Sequence, residues 1–221
     1  MTRIKICGIT DVEKASLCAR LGVDFIGLVF AESRRRVTPE QATGMTRHLL
    51  GLAKRPKFAG VFANAPVCEV NRIAEYCHLD RVQLSGDEDE DYCRRIELPL
   101  IRATRIGPDS IFEEIESRIA AAKPSTIHLL DCHTEGLFGG SGEKFDWTIL
   151  GALNPALPVM VAGGLTLENV EELILRFHPW GVDVSSGVET HGRKDPAKIM
   201  AFVRAVRKAD AKLKGVKDAT R

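Results

Sequence analysis

The sequence has 221 residues, of which 44% are hydrophobic and 28% charged, and its formal net charge is +1. This composition is typical of a globular protein and excludes a largely disordered chain. A nearly neutral chain has no overall field that would attract nucleic acid or an anionic membrane, so we expect neither as a partner. No apolar run reaches the roughly 18 residues that span a bilayer, and the N-terminal residues lack a signal peptide's apolar region, which predicts a cytoplasmic protein.

The cysteines are scattered through the chain without a Cys-x-x-Cys motif or the spacing of a metal finger. We expect them to be reduced thiols, because disulfides are rare in the cytoplasm. A structural zinc site needs four converging ligands, so no metal is expected. The cysteines are Cys7, Cys18, Cys68, Cys77, Cys93 and Cys132.

Short apolar runs bounded by glycine, aspartate or proline alternate with segments of helical periodicity along the chain. This alternation indicates βα units built around a parallel sheet. Because most runs are almost continuously apolar, we expect strands that are covered on both faces. The predicted strands are Ile4 to Cys7, Phe25 to Phe30, Phe58 to Phe62, Arg81 to Leu84, Leu100 to Ala103, Ile127 to Asp131, Val159 to Ala162 and Val182 to Ser185.

Capping signals mark where helices begin between these strands. Thr10 with Glu13 has the spacing of a capping box, Thr38 with Gln41 repeats it, and Pro39 suits a first helical position. Further helices are predicted to start at Pro66 and to cover Ile111 to Ala122, Leu167 to Phe177 and Pro196 to Lys208.

Eight βα pairs in about 220 residues fit a single-domain α/β protein, a compact (β/α)8 or TIM barrel, with a doubly wound open sheet as the alternative. No glycine-rich or proline-rich linker divides the chain. We therefore assign residues 1–208 to one barrel domain and residues 209–221 to a charged, solvated C-terminal tail. Reactive groups of a barrel lie just after its strands, so those positions are the candidates for function.

Three of these positions carry groups suited to chemistry. Cys7 ends the first strand in KICGIT, where it is either a packing thiol or a nucleophile or proton carrier. Three arginines follow the second strand in AESRRRV, and one of them turned inward would bind a carboxylate through two hydrogen bonds. Asp131 ends the sixth strand before a long loop that contains Gly142 and is expected to form a lid or part of a phosphate cradle.

Glycine-rich turns follow the seventh and eighth strands. AGGLTLENV places Gly163 and Gly164 before a helix, and VDVSSGVE places Ser185, Ser186 and Gly187 at the corresponding position. Backbone amides can approach an anion closely at such turns, and these two loops form the recurrent phosphate site of barrels. With no metal or cofactor motif, the pocket predicts proton-transfer chemistry on a phosphorylated small molecule.

The motifs KICGIT, SRRRV, QLSG, GGSGEKFDW, AGGL, DVSSGVE and GRKD follow one another in an order and spacing that closely resemble the phosphoribosylanthranilate isomerases of tryptophan biosynthesis. The resemblance covers nearly the whole chain. It implies an Amadori rearrangement of N-(5-phosphoribosyl)anthranilate to 1-(2-carboxyphenylamino)-1-deoxyribulose 5-phosphate, with no cofactor. The expected partner is this phosphorylated substrate alone, bound by a monomer or homodimer.

The resemblance also implies roles for individual residues. Cys7 matches the family's general base, Asp131 its general acid, and Arg35 the arginine that holds the anthranilate carboxylate. A helix capped by Thr10 can lower the pKa of the Cys7 thiol, and desolvation can raise the pKa of the Asp131 carboxyl. Asp183 faces the same region without an assigned role. The phosphate is assigned to Gly142, Gly163, Gly164, Ser185, Ser186 and Gly187.

The chain departs from the family pattern at a few places. Arg34 stands where a proline is usual, Ser85 stands where a histidine is common, and the loop 188–195 is shorter than in many relatives. Serine does not titrate near neutral pH, so a proton-transfer role at position 85 is not expected. Two other functions remain open at this point: isomerisation of a histidine-pathway aminoaldose, which Cys7 disfavours because those isomerases use paired aspartates, and phosphosugar binding without catalysis.

Overall fold

A computed structural model describes residues 1–107, 110–132, 145–154 and 156–219 of the chain, with side chains up to residue 215. In these ranges, eight parallel strands close into one barrel in sequence order, and the last strand pairs with the first. The prediction of a (β/α)8 barrel is therefore confirmed, and closure excludes the doubly wound alternative. The strands are β1 (Arg3–Cys7), β2 (Phe25–Val29), β3 (Lys57–Phe62), β4 (Arg81–Leu84), β5 (Leu100–Ile106), β6 (Ile127–Cys132), β7 (Val159–Val161) and β8 (Gly181–Val184).

Helices follow most of the strands and cover the outside of the barrel. In the part of the chain that is described, the connection from β6 to β7 contains a 3-10 helix, Trp147–Gly151, instead of an α-helix. A hairpin of β9 (Glu189–Thr190) and β10 (Arg193–Lys194) follows β8. The α-helices are α1 (Val12–Arg20), α2 (Pro39–Leu49), α3 (Val67–Tyr76), α4 (Glu90–Arg94), α5 (Phe112–Ala120), α6 (Val170–Phe177) and α7 (Pro196–Ala219).

The barrel interior changes from apolar to polar along its axis. Side chains of a strand point alternately into the barrel and toward the helices. Phe25, Ile127 and Met160 belong to a buried apolar cluster near the amino ends of the strands. Lys5 and Asp183 are buried farther along β1 and β8. The fold thus places charged groups at the carboxyl end of the barrel above an apolar plug.

Two predicted helix starts need correction. The N-cap of α1 is Asp11, whose side chain accepts a hydrogen bond from the Lys14 amide at 2.9 Å, so the prediction that Thr10 caps this helix is wrong. The helix predicted from Leu167 begins three residues later, at Val170. The capping box of Thr38 and Gln41 at the start of α2 is confirmed.

Helix α7 continues well past the expected start of a solvated tail. Ala209 and Asp210 are buried, so the prediction that they belong to such a tail is wrong. The Asp210 carboxylate accepts hydrogen bonds from the Thr2 amide at 2.9 Å and from the Thr2 hydroxyl at 2.7 Å. These bonds tie α7 to the residue just before β1, which explains why the helix does not fray at Lys208.

Neither a membrane-spanning helix nor a metal-ligand cluster occurs in the described ranges. No helix there has both the length and the apolar character that crossing a bilayer requires. Similarly, no group of three or more histidine, cysteine, aspartate or glutamate side chains in those ranges is arranged to hold a metal ion.

Candidate active site

A cavity of about 440 Å³ opens at the carboxyl ends of the barrel strands. Most of the predicted site residues line it, namely Cys7, Arg35, Asp131, Gly163, Gly164, Asp183, Ser185 and Ser186. Gly187 lies against the Leu165 carbonyl beside the cavity. Gly142 lies outside the described residues. The residues that the sequence placed after five different strands thus share one pocket.

Cys7 presents its thiol to this cavity from the end of β1 and is partly exposed there. Burial raises the pKa of the Cys7 thiol, and the neighbouring charge of Lys5 acts in the opposite direction. The expectation that helix α1 would lower this pKa is therefore wrong in direction. The thiol needs a local positive charge to ionise, and Lys5 supplies one.

Lys5 lies two residues before Cys7, on the same face of β1, and its side chain is completely buried. Its Nζ forms an ion pair with Asp183 Oδ2 at 2.7 Å. Burial alone lowers the pKa of Lys5, but the charges of Asp183 and Cys7 outweigh it, so the pKa is raised. The side chain is therefore a fixed ammonium group at the base of the cavity.

Gly27 on β2 leaves the space in which this thiol and ammonium meet. A Cβ atom at Gly27 would lie 2.7 Å from Cys7 Sγ and 3.2 Å from Lys5 Nζ. The first distance is shorter than real Cβ contacts, so any side chain would displace the thiol. Glycine at this strand position is thus a steric requirement of the site.

Asp131 faces the cavity from the end of β6. Burial and the nearby charge of Asp183 raise the pKa of the Asp131 carboxyl to about 6, against the opposing effect of the Cys132 amide, which donates to Oδ1 at 2.9 Å. The predicted rise in this pKa is confirmed in direction and cause. A carboxyl group with this pKa has a substantial protonated fraction near neutral pH.

Arg35 is the arginine of AESRRRV that turns inward, and Glu189 holds its side chain. Its Nε and Nη2 donate to the two Glu189 carboxylate oxygens at 2.6 and 3.0 Å, and its side chain is 13% exposed, compared with 60% for Arg34. Gly8 adopts φ +80°, and a Cβ there would lie 2.5 Å from Arg35 Cδ. Arg35 therefore packs over the glycine that ends the KICG turn.

Glu189 also accepts hydrogen bonds from Arg34 Nη2 at 2.8 Å and from Lys194 Nζ at 2.7 Å. The Lys194 side chain is almost fully buried. Three cations thus surround one carboxylate at this side of the cavity. Burial raises the pKa of Glu189, but hydrogen bonds from Arg35 and Lys194 outweigh it and lower the pKa to about 2, so the carboxylate is charged at neutral pH.

The glycine-rich loops after β7 and β8 contact each other at the rim. Gly163 and Gly164 adopt φ angles of +75° and +60°, and within the described residues neither backbone amide has a hydrogen-bond partner. A Cβ at Gly187 would overlap the Leu165 carbonyl oxygen. The Ser185 hydroxyl donates to the Cys7 carbonyl at 3.1 Å, so this serine also fixes the end of β1.

Sequence reasoning missed three charged residues of the site. Lys5, Glu189 and Lys194 all stand inside motifs that it singled out, KICGIT, DVSSGVE and GRKD. The available signal for Lys5 was its spacing from Cys7, since residues two apart on a strand share a face. Ser85 lines the cavity and accepts a hydrogen bond from Gln83 Nε2 at 3.0 Å.

The barrel and its mouth define the (β/α)8 class of protein, with a cavity whose thiol, carboxyl and guanidinium groups are of the kinds that suit proton transfer on an anionic small molecule. The family model described as N-(5'-phosphoribosyl)anthranilate (PRA) isomerase matches residues 4–205. The chain belongs to this family, and it is an isomerase of tryptophan biosynthesis.

Curated relatives and solved structures agree with this assignment. The chain is 49% identical over 214 residues to N-(5'-phosphoribosyl)anthranilate isomerase of Dehalococcoides mccartyi, covering 95% of this chain and 98% of the relative. It is 44% identical to the Moorella thermoacetica enzyme, covering 95% and 92%. The solved phosphoribosyl anthranilate isomerase of Thermotoga maritima superposes with a TM-score of 0.80 at 32% identity, covering 94% of this chain and all of that one.

Proposed function

We propose that the chain isomerises N-(5'-phosphoribosyl)anthranilate by general acid-base catalysis, with Cys7 as the base and Asp131 as the acid. The observation that carries this proposal is that both groups line one cavity and that burial raises the pKa of Asp131 to about 6. At pH 7 this raises its protonated fraction from below about one in a thousand to about one in ten. Asp131 can therefore supply a proton at neutral pH.

The proposed reaction is an internal redox change, an aldose-to-ketose isomerisation that needs no external oxidant. Asp131 gives its proton to the furanose ring oxygen while the substrate's nitrogen lone pair opens the ring to an iminium. The Cys7 thiolate then removes the proton from the adjacent sugar carbon, and the electron pair of that bond forms an enolamine. Tautomerisation of the enolamine gives the ketone of 1-(2-carboxyphenylamino)-1-deoxyribulose 5-phosphate.

Arg35 is proposed to bind the anthranilate carboxylate. Glu189 occupies Nε and Nη2 of Arg35, and within the described residues Nη1 has no partner, so the outer edge of the guanidinium can take a second carboxylate. We expect Arg35→Ala to raise the KM at least tenfold and Arg36→Ala to leave it within threefold, since Arg36 does not line the cavity.

The phosphate is proposed to bind the amides of Gly163, Gly164, Ser186 and Gly187, together with that of Gly142, which lies outside the described residues. Among the described residues, the amides of Gly163 and Gly164 have no hydrogen-bond partner, and this supports the proposal because unpaired backbone donors at such turns are suited to an anion. The role of Ser185 is modified: its hydroxyl donates to the Cys7 carbonyl, so we assign it to holding the end of β1.

We propose that the enzyme takes only its small phosphorylated substrate, as a monomer or homodimer, and works in the cytoplasm. The six cysteines, all free, support a reducing compartment. One solved Thermotoga maritima relative is described as a dimeric phosphoribosylanthranilate isomerase from which monomers were generated.

A fluorescence assay of phosphoribosylanthranilate consumption tests the mechanism. We expect Cys7→Ser and Asp131→Asn each to lower kcat by at least about a hundredfold, the usual contribution of a general acid or base. Binding of reduced 1-(o-carboxyphenylamino)-1-deoxyribulose 5-phosphate, the ligand named for another solved phosphoribosyl anthranilate isomerase, controls for folding and should persist in both variants. Near-wild-type turnover in either variant would overturn its assigned role.

A further inference from the structure

The base of the cavity contains an ion pair that the acid-base scheme does not use. Lys5 is completely buried, Asp183 is 6% exposed, and their charged atoms are 2.7 Å apart. Burying two charges costs several kcal/mol of desolvation per ion, which the attraction between them offsets only in part. A buried pair of this kind contributes little net stability, so its presence beside the reactive thiol calls for a functional explanation.

The position of Lys5 relative to Cys7 supplies that explanation. Lys5 Nζ and Cys7 Sγ lie 3.2 Å and 2.7 Å from the point where a Cβ of residue 27 would stand. The two atoms are therefore within about 6 Å of each other, a distance at which an opposite charge favours ionisation of the thiol. Asp183 Oδ2 holds the ammonium in place. Because the whole side chain of Lys5 is buried, solvent does not screen its charge from the thiol.

We propose that Lys5 is a positioning residue that stabilises the Cys7 thiolate by holding a buried ammonium group against it, with Asp183 as the anchor of that ammonium. The inference rests on the proposed role of Cys7 as the base. Lys5 transfers no proton and touches no reacting carbon. Its contribution is to make the thiolate form accessible near neutral pH in a site where burial opposes it.

The other charged groups around Cys7 do not replace Lys5. Asp183 on β8 acts against the thiolate, while Lys194 on β10 acts for it but less strongly than Lys5. Lys194 Nζ also forms an ion pair with Glu189 Oε1 at 2.7 Å. Lys5 is thus the dominant favourable charge, and Asp183 offsets part of its effect while keeping it in position.

The test measures the rate of Cys7 alkylation by iodoacetamide against pH, with the modified residue identified by peptide mass spectrometry. This readout reports the thiolate directly and does not require turnover, so it is independent of whether Cys7 is the base. Cys68 is exposed and serves as an internal reference whose rate profile should be the same in every variant. The pH profile of kcat/KM is measured in parallel.

We expect Lys5→Met to slow Cys7 alkylation at pH 7 about tenfold or more and to move both pH profiles upward by about one unit or more, the usual effect of losing a close opposite charge. Lys5→Arg keeps the charge and should retain alkylation within about threefold of wild type. A loss of activity in Lys5→Met with unchanged profiles would mean a merely structural role and would refute the proposal.

Lys194→Met is the matched control, because it makes the same change at a second buried lysine whose charge acts on Cys7. It should shift the Cys7 profile less than Lys5→Met, and an equal or larger shift would contradict the assignment to Lys5. If Lys5→Met does not fold, the double variant Lys5→Met, Asp183→Asn removes both buried charges together. Its profile should still move upward, since Lys5 acts on Cys7 more strongly than Asp183 does, and a wild-type profile would refute the proposal.

Discussion

The carboxyl group of Asp131 lies in surroundings that disfavour its charged form. Burial and Asp183 raise its pKa, while Lys5 and Arg105 act in the opposite direction without cancelling the rise. The proposed general acid is therefore a residue whose ionisation weakens the fold. Sites that hold perturbed groups for catalysis commonly carry such a cost in stability.

Because of this cost, we predict that the stability of Asp131→Asn relative to the wild type increases as the pH rises. The folded-state pKa of about 6 exceeds the unfolded value, so the wild type loses stability as pH rises through this interval, and the uncharged amide does not. Between pH 4 and pH 8 the variant should gain on the order of 2 kcal/mol relative to wild type in urea unfolding. The exposed Asp91→Asn is the control and should show no such gain, and an Asp131→Asn difference that is constant with pH would contradict the prediction.

At this scale the sequence predicted residues that line the cavity better than it predicted their surroundings. Cys7 and Asp131 were singled out because they end strands, and the barrel brings all such positions to one mouth, whereas Arg35 was chosen among the three arginines after β2 by the family resemblance. Lys5 was missed because a lysine inside a strand is usually solvated, and only the closed barrel shows that its face is buried against β8. The direction of the Cys7 pKa was wrong for the same reason, since burial is a property of the assembled site.

Glu189 links two elements that are far apart in the chain. It belongs to β9, after the last barrel strand, and binds Arg34 and Arg35 in the loop that follows β2. The same carboxylate holds Lys194 on β10. The orientation of the proposed carboxylate-binding arginine thus depends on a hairpin about 155 residues farther along the chain, a separation that sequence spacing does not reveal.

We predict that Glu189→Gln raises the KM at least tenfold and changes kcat less. Glutamine offers one acceptor oxygen, and its amide N–H groups would face the guanidinium of Arg35 instead of holding both of its donors. Steady-state kinetics measure the effect, and Arg34→Ala is the control because it leaves the Arg35 pair intact and should change the KM less than about threefold. A wild-type KM in Glu189→Gln would show that Arg35 needs no such support.

The strands were largely predictable, and some helix ends were not. Seven of the eight predicted strands differ from the observed bounds only by one to three residues, and β4 matches at both ends, because fully covered strands are apolar and bounded by turn residues. The predicted end of α7 was wrong because the burial of Asp210 depends on its hydrogen bonds to Thr2, a residue at the other end of the chain. The predicted cap at Thr10 was wrong because two adjacent residues, Thr10 and Asp11, are both good caps and the helix uses Asp11.

For the molecule as a whole, a net charge of +1 hides an uneven distribution. Arg34, Arg35 and Lys194 gather around the carboxylate of Glu189, which leaves positive charge at that side of the cavity, whereas the acidic residues Glu32, Asp131 and Asp183 lie elsewhere along its lining. The proposed substrate carries a carboxylate and a phosphate. A local positive field at a concave mouth attracts such a ligand without making the whole surface basic.

This arrangement predicts that the KM depends on salt concentration, whereas kcat does so only slightly. Raising NaCl from about 0.05 M to about 0.5 M shortens the screening length severalfold and should raise the KM roughly threefold or more with little change in kcat. Arg34→Ala should reduce this dependence, because Arg34 is the exposed member of the cluster. Arg94→Ala, at an exposed arginine on α4, should not. A KM that is independent of salt in the wild type would argue against electrostatic attraction at the mouth.

Gly27 shows that a position can be indispensable to a reactive site while carrying no functional group. The clearance that it leaves on β2 is what allows the thiol and the ammonium to occupy neighbouring space. A search for catalytic positions that considers only side-chain chemistry would pass over it. A redesign of the barrel for another substrate that keeps Cys7 and Lys5 on β1 therefore also has to keep glycine at position 27 on β2.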